Sequence, residues 1–377
     1  MSRKTCVKGI LSFMTQKKTP LVPHADVLAA AKQPLLAWYP TVARRLPWRE
    51  TITPYRVWIS EIMLQQTRVV AVIPYFKRFM KTLPDIAALA DVDDNTLMKL
   101  WQGLGYYSRA RNLKKAAQVI VDEYNGRMPL LFDDLLKLPG IGRYTADAIS
   151  SIAGHHAAPA VDGNVLRVVT RLTEFEGDVL KDATKRAVED ALRPIYEESI
   201  VSATLNQALM ELGATVCVPN GAPHCDACPL TAMCHARAHD TTAEFPHKSA
   251  KKARRIEQMT VLHIFDETTK RLALQKRPKK GLLAGLYELP HLPGHQTAAA
   301  VRWTLGNAGF PVAHVKKRPP ARHIFSHVEW DMSAYDVTLA PSEAMSVCEP
   351  RDAILWATEE ELETTYSIPA AFQYFLN

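Results

Sequence analysis

From His24 to about Leu212, apolar residues recur at helical spacing, and the breaks between the runs are short and polar or marked by proline. The spacing predicts helices over 25–38, 54–68, 73–81, 95–101, 107–124, 143–152, 163–173, 183–192 and 199–213. This is an all-α domain with no solenoid repeat. Beyond residue 255 the period changes to alternation. Strands are predicted over 259–265, 271–276, 287–289, 322–330 and 332–339, with helices near 297–305 and 359–365, so a second, α+β domain follows. Lys248 to Arg255 contains basic residues and no acid, and 240–255 reads as a basic linker. Residues 1–23 are basic with only a brief apolar segment, which fits a flexible extension and not a signal peptide. The expected organisation is therefore an extension over 1–23, a helical domain over 24–239, the linker, and the α+β domain over 256–377.

The chain has 377 residues, 47% of them hydrophobic, and no apolar run long enough to span a membrane. No membrane association is expected. The net charge is +7, with basic clusters at Lys17-Lys18, Lys248 to Arg255, Lys276 to Lys280 and Lys316 to Arg318. Such a balance fits a polyanionic partner, although any one cluster is more commonly solvated surface. Four of the six cysteines, Cys217, Cys225, Cys228 and Cys234, lie within eighteen positions. They read as a metal-ligand set in a reducing compartment, and their spacing suits either tetrahedral zinc or an iron–sulfur cluster. Cys6 and Cys348 fall outside the set.

Between two helical runs, Leu138-Pro139-Gly140-Ile141-Gly142 reads as a glycine hairpin. Two glycines permit positive φ and close approach of a ligand, and the helix that follows offers unpaired N–H groups suited to a phosphate. A plain tight helix–helix connection is the alternative. Asp162 stands at the start of the next helix as an N-cap, a structural use in itself. Backbone N–H groups bonded to it would hold it ionised with a lowered pKa, ready to support a developing positive charge. In the 54–68 helix, Glu61 falls inside the apolar arc of Val57, Trp58, Ile62 and Leu64. Burial there would favour its neutral form and make it a general acid, unless it turns to solvent or pairs with Arg49 or Arg68. Two carboxyls whose environments differ in this way suit glycosyl-bond cleavage. Gly103 to Arg111, GLGYYSRAR, joins a flexible loop to aromatic side chains and two arginines. It reads as a wedge into a base stack with phosphate contacts, or as a packed loop.

Taken in order, LPWR (46–49), VWISEIMLQQT (57–67), WQGLGYYSRARNL (101–113), LPGIGRYTA (138–146), AVDGNV (160–165), the four cysteines, GLLAGLYELP (281–290) and HIFSHVEW (323–330) resemble the MutY-type adenine DNA glycosylases of the helix-hairpin-helix superfamily. The resemblance implies removal of adenine mispaired with 8-oxoguanine or guanine, starting base excision repair on double-stranded DNA. It implies Glu61 as proton donor, Asp162 as transition-state stabiliser, and Tyr144 and Asn164 as assisting groups. Trp48, Arg49 and Gln207 match the adenine pocket. Gln66, Thr67, Leu104, Tyr106, Gly140 and Gly142 match DNA contacts, several of them near 8-oxoguanine. Tyr144 stands where the endonuclease III type has a nucleophilic lysine, so a monofunctional enzyme is implied. A bifunctional glycosylase/lyase and a non-catalytic iron–sulfur DNA-damage-binding protein are the rival readings.

The cysteines are similar to the family's [4Fe-4S] ligands. Seven residues separate the first two where the family usually has six, an insertion that a loop absorbs. The C-terminal part resembles a MutT-like Nudix domain without its metal-binding glutamates, since 302–309 reads RWTLGNAG. Phe325-Ser326-His327 matches the loop that recognises 8-oxoguanine. A cytoplasmic, nucleoid-associated monomer with no targeting segment is expected.

Overall fold

A computed structural model describes residues 20–196, 199–250, 253–341 and 354–376. The described residues gather into two compact units. One takes those up to Ala43 with His155–Ser249; the other takes Arg44–Gly154 with those from Ala250 onward.

The helical periodicity is realised closely. Helices Arg143–Ile152 and Gly163–Thr173 have the predicted bounds, and Asp26–Val42, Val69–Thr82, Asp94–Trp101, Ser108–Glu123, Asp182–Leu192 and Ser199–Thr215 shift by a few residues. The helix predicted over 54–68 ends at Leu64, because Gln66 takes a left-handed φ of 56° that no helix continues through. Short helices at Pro47–Glu50, Ile86–Asp91 and Phe132–Leu135 are additional. They are too short to display a period.

In the first unit, the Asp26–Val42, Gly163–Thr173, Asp182–Leu192 and Ser199–Thr215 helices share one core. Val22 is buried in it at 4% exposure, so the core reaches back before the boundary expected at residue 24. Residues 1–19, and with them Cys6, lie outside the described residues, as do 251–252 of the expected linker and Cys348.

The second unit carries a mixed sheet: β1 (Arg255–Asp266), β2 (Arg271–Lys276), β3 (Tyr287–Glu288), β4 (His291–Pro293), β5 (Val312–Ile324), β6 (Val328–Leu339) and β7 (Ile354–Ala357). The order is β3-β2-β1-β6-β5, with β4 also paired to β1 and β7 to β2. β1 and β6 are parallel and the other pairs antiparallel. Both central strands are covered on two faces. Met259, Val261, Trp330 and Met332 pack toward Phe372 and Phe375, whereas Leu262, Ile264, Tyr335 and Val337 pack toward Val301 and Leu305 of the Ala298–Asn307 helix. That helix holds the segment without glutamates.

The strand expected over 322–330 is in fact a hairpin. β5 arrives at Ile324, Phe325 N–H donates to Val328 O at 2.8 Å, and β6 departs at Val328. Most of β5 escapes the alternation rule because it is a basic edge strand, and Pro319 and Pro320 sit at a register shift between Arg318 and Ala321. β1 also begins at Arg255, the last residue of the expected linker.

Within this unit the sheet is tied to the helical segment 94–111. Lys99 Nζ donates to Leu362 O (2.9 Å) and Tyr366 O (3.3 Å), Gln102 Nε2 donates to Ile368 O (3.3 Å), Ser367 Oγ to Met98 O (3.2 Å), and Arg111 Nη1 to Ala284 O (2.6 Å). Phe372 is fully buried against Trp330. Phe372→Ala should cost about 3–5 kcal/mol, read as an earlier midpoint for the C-terminal part in urea unfolding followed by tryptophan fluorescence.

Candidate active site

Glu61 lies on the Pro54–Leu64 helix, which Thr53 opens by accepting Arg56 N–H at 3.2 Å and Pro54 follows with its preset φ. That helix is buried on nearly every side, and Glu61 is only 7% exposed. The solvent-facing alternative does not describe it. Tyr144, second residue of the Arg143–Ile152 helix, donates its hydroxyl to Glu61 Oε2 at 2.5 Å. Gln65 Nε2 donates to Thr145 Oγ1 at 3.4 Å across the same helix pair.

The hairpin before Arg143 departs from expectation in one respect. Gly140 has φ +79°, and a Cβ there would lie 2.6 Å from Asn112 Cβ, but Gly142 has φ −95° and needs no left-handed freedom. Gly142 is instead the N-cap of the Arg143–Ile152 helix, with no side-chain cap and open space where a Cβ would stand. Such a bare helix start lets an anion approach the first-turn N–H groups.

The loop after Trp101 is organised by Arg109. Its guanidinium is buried and donates to Ile62 O (2.8 Å), Met63 O (3.0 Å), Gln65 O (2.6 Å), Leu104 O (3.0 Å) and Gly105 O (3.1 Å). One cation thereby closes the end of the Glu61 helix and fixes the glycine loop. Arg109 gives these carbonyls both of its terminal nitrogens, and Arg111 Nη1 donates to Ala284 O at 2.6 Å. Leu104 is buried in the free protein, whereas Tyr106 is 47% exposed, has φ 48° and lies under the Arg109 cation. Gln66 and Thr67 follow directly on the closed helix end, and Thr67 Oγ1 bonds back to Gln65 O at 3.3 Å. Trp48 is buried edge-on to Phe76, and Arg49 Nη1 donates to Arg44 O at 3.4 Å. Ser326 and His327 are exposed at the β5–β6 turn, bonded to each other at 3.3 Å, while Phe325 packs edge-on against Trp330.

Asp162, Asn164, Gln207 and the cysteines belong to the other unit. Asp162 caps the Gly163–Thr173 helix: Oδ1 accepts Asn164 N–H (2.9 Å) and Val165 N–H (2.8 Å), and Oδ2 accepts Asn164 Nδ2 (2.6 Å). The residue keeps some exposed surface, yet its carboxyl is enclosed enough that burial pushes its pKa above the ordinary 3.8. Hydrogen bonds from Val165 and Asn164 and the charge of Arg167 oppose the rise without cancelling it. The lowered pKa expected from capping alone is thereby corrected, because these bonds replace water that the enclosed carboxylate has lost. Gln207 Oε1 accepts the Tyr39 hydroxyl at 3.2 Å.

Two arginines of the Gly163–Thr173 helix prove central. Arg167 donates to Asn164 Oδ1 (2.8 Å), Gly213 O (2.7 Å) and Cys217 O (2.7 Å). Arg171, one turn on, reaches Cys217 Sγ (3.3 Å), Val218 O (3.0 Å) and Phe245 O (3.1 Å). The visible signal was a pair of arginines at i, i+4 in a helix that is buried from Val165 to Thr173.

All four cysteines line one cavity, together with Arg171, His224 and Arg237. Burial pushes the Cys228 thiol up to about 11 and raises Cys234 as well, so the thiolates require a cation to hold them.

Residues 59–194 match the HhH-GPD superfamily base excision DNA repair protein family, and 260–377 match the NUDIX domain. Adenine DNA glycosylase of Rattus norvegicus is 32% identical over an alignment covering 91% of this chain and 78% of that protein. The chain belongs to the adenine DNA glycosylase family. The Homo sapiens adenine DNA glycosylase is likewise 32% identical, with 89% of this chain and 72% of that one covered, and the protein of Buchnera aphidicola subsp. Schizaphis graminum is 40% identical over 58% of this chain and 63% of its own length. A solved thermostable thymine-DNA glycosylase is similar at a TM-score of 0.51 and 26% identity, covering 57% of this chain and 98% of that one. As a member of the adenine DNA glycosylase family the chain is a DNA glycosylase, a helix-hairpin-helix domain followed by a Nudix-like one.

In this glycosylase Arg109→Met should leave several buried carbonyls without donors, at about 1–3 kcal/mol for each one left unpaired. Thermal unfolding should show a fall of several degrees, and Arg109→Lys should recover only part of it, because an ammonium lacks the fork that spans both the helix end and the loop.

Proposed function

We propose that the chain hydrolyses the N-glycosidic bond of adenine mispaired with 8-oxoguanine or guanine in double-stranded DNA, and leaves the strand unnicked. The observation that carries this reading is a buried carboxyl, Glu61, held by the Tyr144 hydroxyl on a helix facing the hairpin segment. The adenine is swung out of the duplex, since no group reaches its ring inside the stack. Glu61 delivers its proton to a ring nitrogen of the adenine, the bond from the sugar to the base breaks with its electron pair passing to the base, and an oxocarbenium-like sugar remains. Asp162, ionised, lies against that positive charge. Water attacks the sugar and loses a proton, which restores the acid. Tyr144 and Asn164 orient the two carboxyls, as their bonds in the free protein indicate.

Trp48, Arg49 and Gln207 are assigned to the adenine, and Gln66, Thr67, Leu104, Tyr106, Gly140 and Gly142 to the DNA. Phe325, Ser326 and His327 are assigned to 8-oxoguanine; the exposure of the last two supports this. Cys217, Cys225, Cys228 and Cys234 would hold a [4Fe-4S] cluster, whose contribution when bound is to cross-link the loop that Arg167 and Arg171 join to the Asp162 helix. The protein acts as a monomer in the cytoplasm at the nucleoid. No helix among the described residues is long and apolar enough to cross a membrane. Tyrosine at 144 supports monofunctional hydrolysis, because no amine stands there to form a Schiff base.

Single-turnover cleavage of a duplex with one A:8-oxoguanine pair tests the reading. Glu61→Gln should slow base removal at least about 10²–10⁴-fold with DNA affinity kept, and borohydride should trap no protein–DNA adduct. Equal rates for the variant and wild type, or a trapped adduct, would end the proposal.

Asp162 gives a pH prediction. Its folded pKa is raised, so the carboxyl favours folding most below 3.8 and loses that contribution as pH rises through the raised value. Ionised Asp162 thus costs stability at neutral pH. Asp162→Asn keeps an oxygen for the helix cap and should raise the melting temperature at pH 7 while abolishing base removal. In the wild type the acid limb of the single-turnover rate should lie above pH 3.8, and Asn164→Ala, which removes a bond holding the carboxyl down, should move it higher.

A further inference from the structure

Immediately after the last cysteine, the chain places a second set of metal-type donors that the glycosylase chemistry does not use. Glu174, His235 and His239 each offer one ligand atom, and these atoms all lie within 4.8 Å of one another. His235 and His239 are four residues apart on the short helix His235–Ala238 and its C-cap, so the two rings project from one side of a single turn. Glu174 meets them from the C-cap of the Gly163–Thr173 helix, where it takes φ 50°, a conformation that costs a non-glycine residue. His24, on the partner face of His235, is also left-handed at φ 46°, as is Asp240 at φ 60° beside His239. Backbone strain concentrated around one constellation is characteristic of functional sites.

The donors are already oriented. Glu174 Oε2 lies 2.8 Å from His239 Nδ1, and Glu174 Oε1 accepts the Thr241 hydroxyl at 2.6 Å, an outer contact of the type that fixes ligand carboxylates. The His24 ring stacks on His235 with centroids 3.9 Å apart and holds its plane. Glu174 and His235 are half-buried and His239 is exposed, so an ion has a route in and a position open to water. An ion bound at about 2.0–2.1 Å keeps tetrahedral donors about 3.3 Å apart. The site also faces the C-terminal end of an eleven-residue helix, where the peptide dipole favours a cation.

We infer that Glu174, His235 and His239 form a binding site for a divalent transition-metal ion of zinc type, separate from the four-cysteine centre. Two imidazoles and one carboxylate are a borderline set, suited to zinc and unsuited to calcium or magnesium. The bound ion would clamp the far end of the helix that Asp162 caps to the segment leaving the cysteine loop. A water would complete its coordination.

The test uses the full-length protein as purified, freed of loose metal by a chelator and dialysed against graded zinc, with zinc and iron both counted by elemental analysis. The expected result is one zinc per chain taken up with iron unchanged. His239→Ala and Glu174→Gln should each weaken uptake by more than the about 10–100-fold that loss of an outer-shell partner costs, and His235→Ala/His239→Ala should abolish it. Zinc should raise the melting temperature of the wild type over its own chelator-treated sample, and should not raise that of the double variant over its own. This comparison holds even if a variant starts less stable. Equal uptake by the double variant, no uptake by the wild type, or zinc gained only as iron is lost to the cysteines would each overturn the assignment.

Discussion

Buried carbonyls at helix ends and in loops must find donors, and in this protein guanidinium groups supply them at the points that matter. A helix leaves its last carbonyls unpaired, and a glycine loop leaves more, so enclosing both without partners would cost several kcal/mol. Arg109 meets this demand for the end of the Glu61 helix and the loop at Leu104 and Gly105. Arg167 meets it for Gly213 and Cys217 while also holding Asn164, and Arg171 adds Val218 and Phe245. Planar forks with several donors do this where lysine would not. The functional side chains thereby rest on geometry imposed by backbone satisfaction, not on the loops' own stiffness.

The two carboxyls illustrate how placement and burial set chemistry. Glu61 is carried inside a helix buried on nearly every side, and its Oε2 accepts the Tyr144 hydroxyl. Asp162 is carried at a helix start and accepts three N–H bonds. Capping would hold the second ionised at low pH if solvent still reached it. Enclosure reverses the balance, because the bonds restore only part of the hydration that the charge gives up. A carboxylate kept ionised there would come at a cost in folding energy.

The cysteine loop belongs to the same framework. Arg167 and Arg171 fasten it to the helix that Asp162 opens, while Cys217, Cys228 and Cys234 pack at the edge of the apolar core. The four sulfurs surround a common cavity, and the raised thiols need a cation to be held as thiolates. At the other end of that helix, Glu174 turns toward two histidines. Both ends of one eleven-residue helix are therefore sites of concentrated chemistry.

Local pattern alone determined the longer helices from Asp26 to Thr215, the change to strands after residue 255, the cysteine set, and the membership of Glu61 in an apolar arc. These follow from side-chain period and spacing, which are properties of neighbours in the chain. Tertiary structure decided what depends on distant partners. The basic strand β5 exists because β6 pairs with it, although its own residues do not alternate. Only one hairpin glycine needs a left-handed φ, because the chain turns at Gly140 and a helix begins after Gly142. Arg109 became a cap, Leu104 an interior residue, and Asp162 a carboxyl raised by enclosure. No period along the chain encodes which buried carbonyl lies near which guanidinium, or how much water a carboxylate loses, since both are set by contacts across the fold.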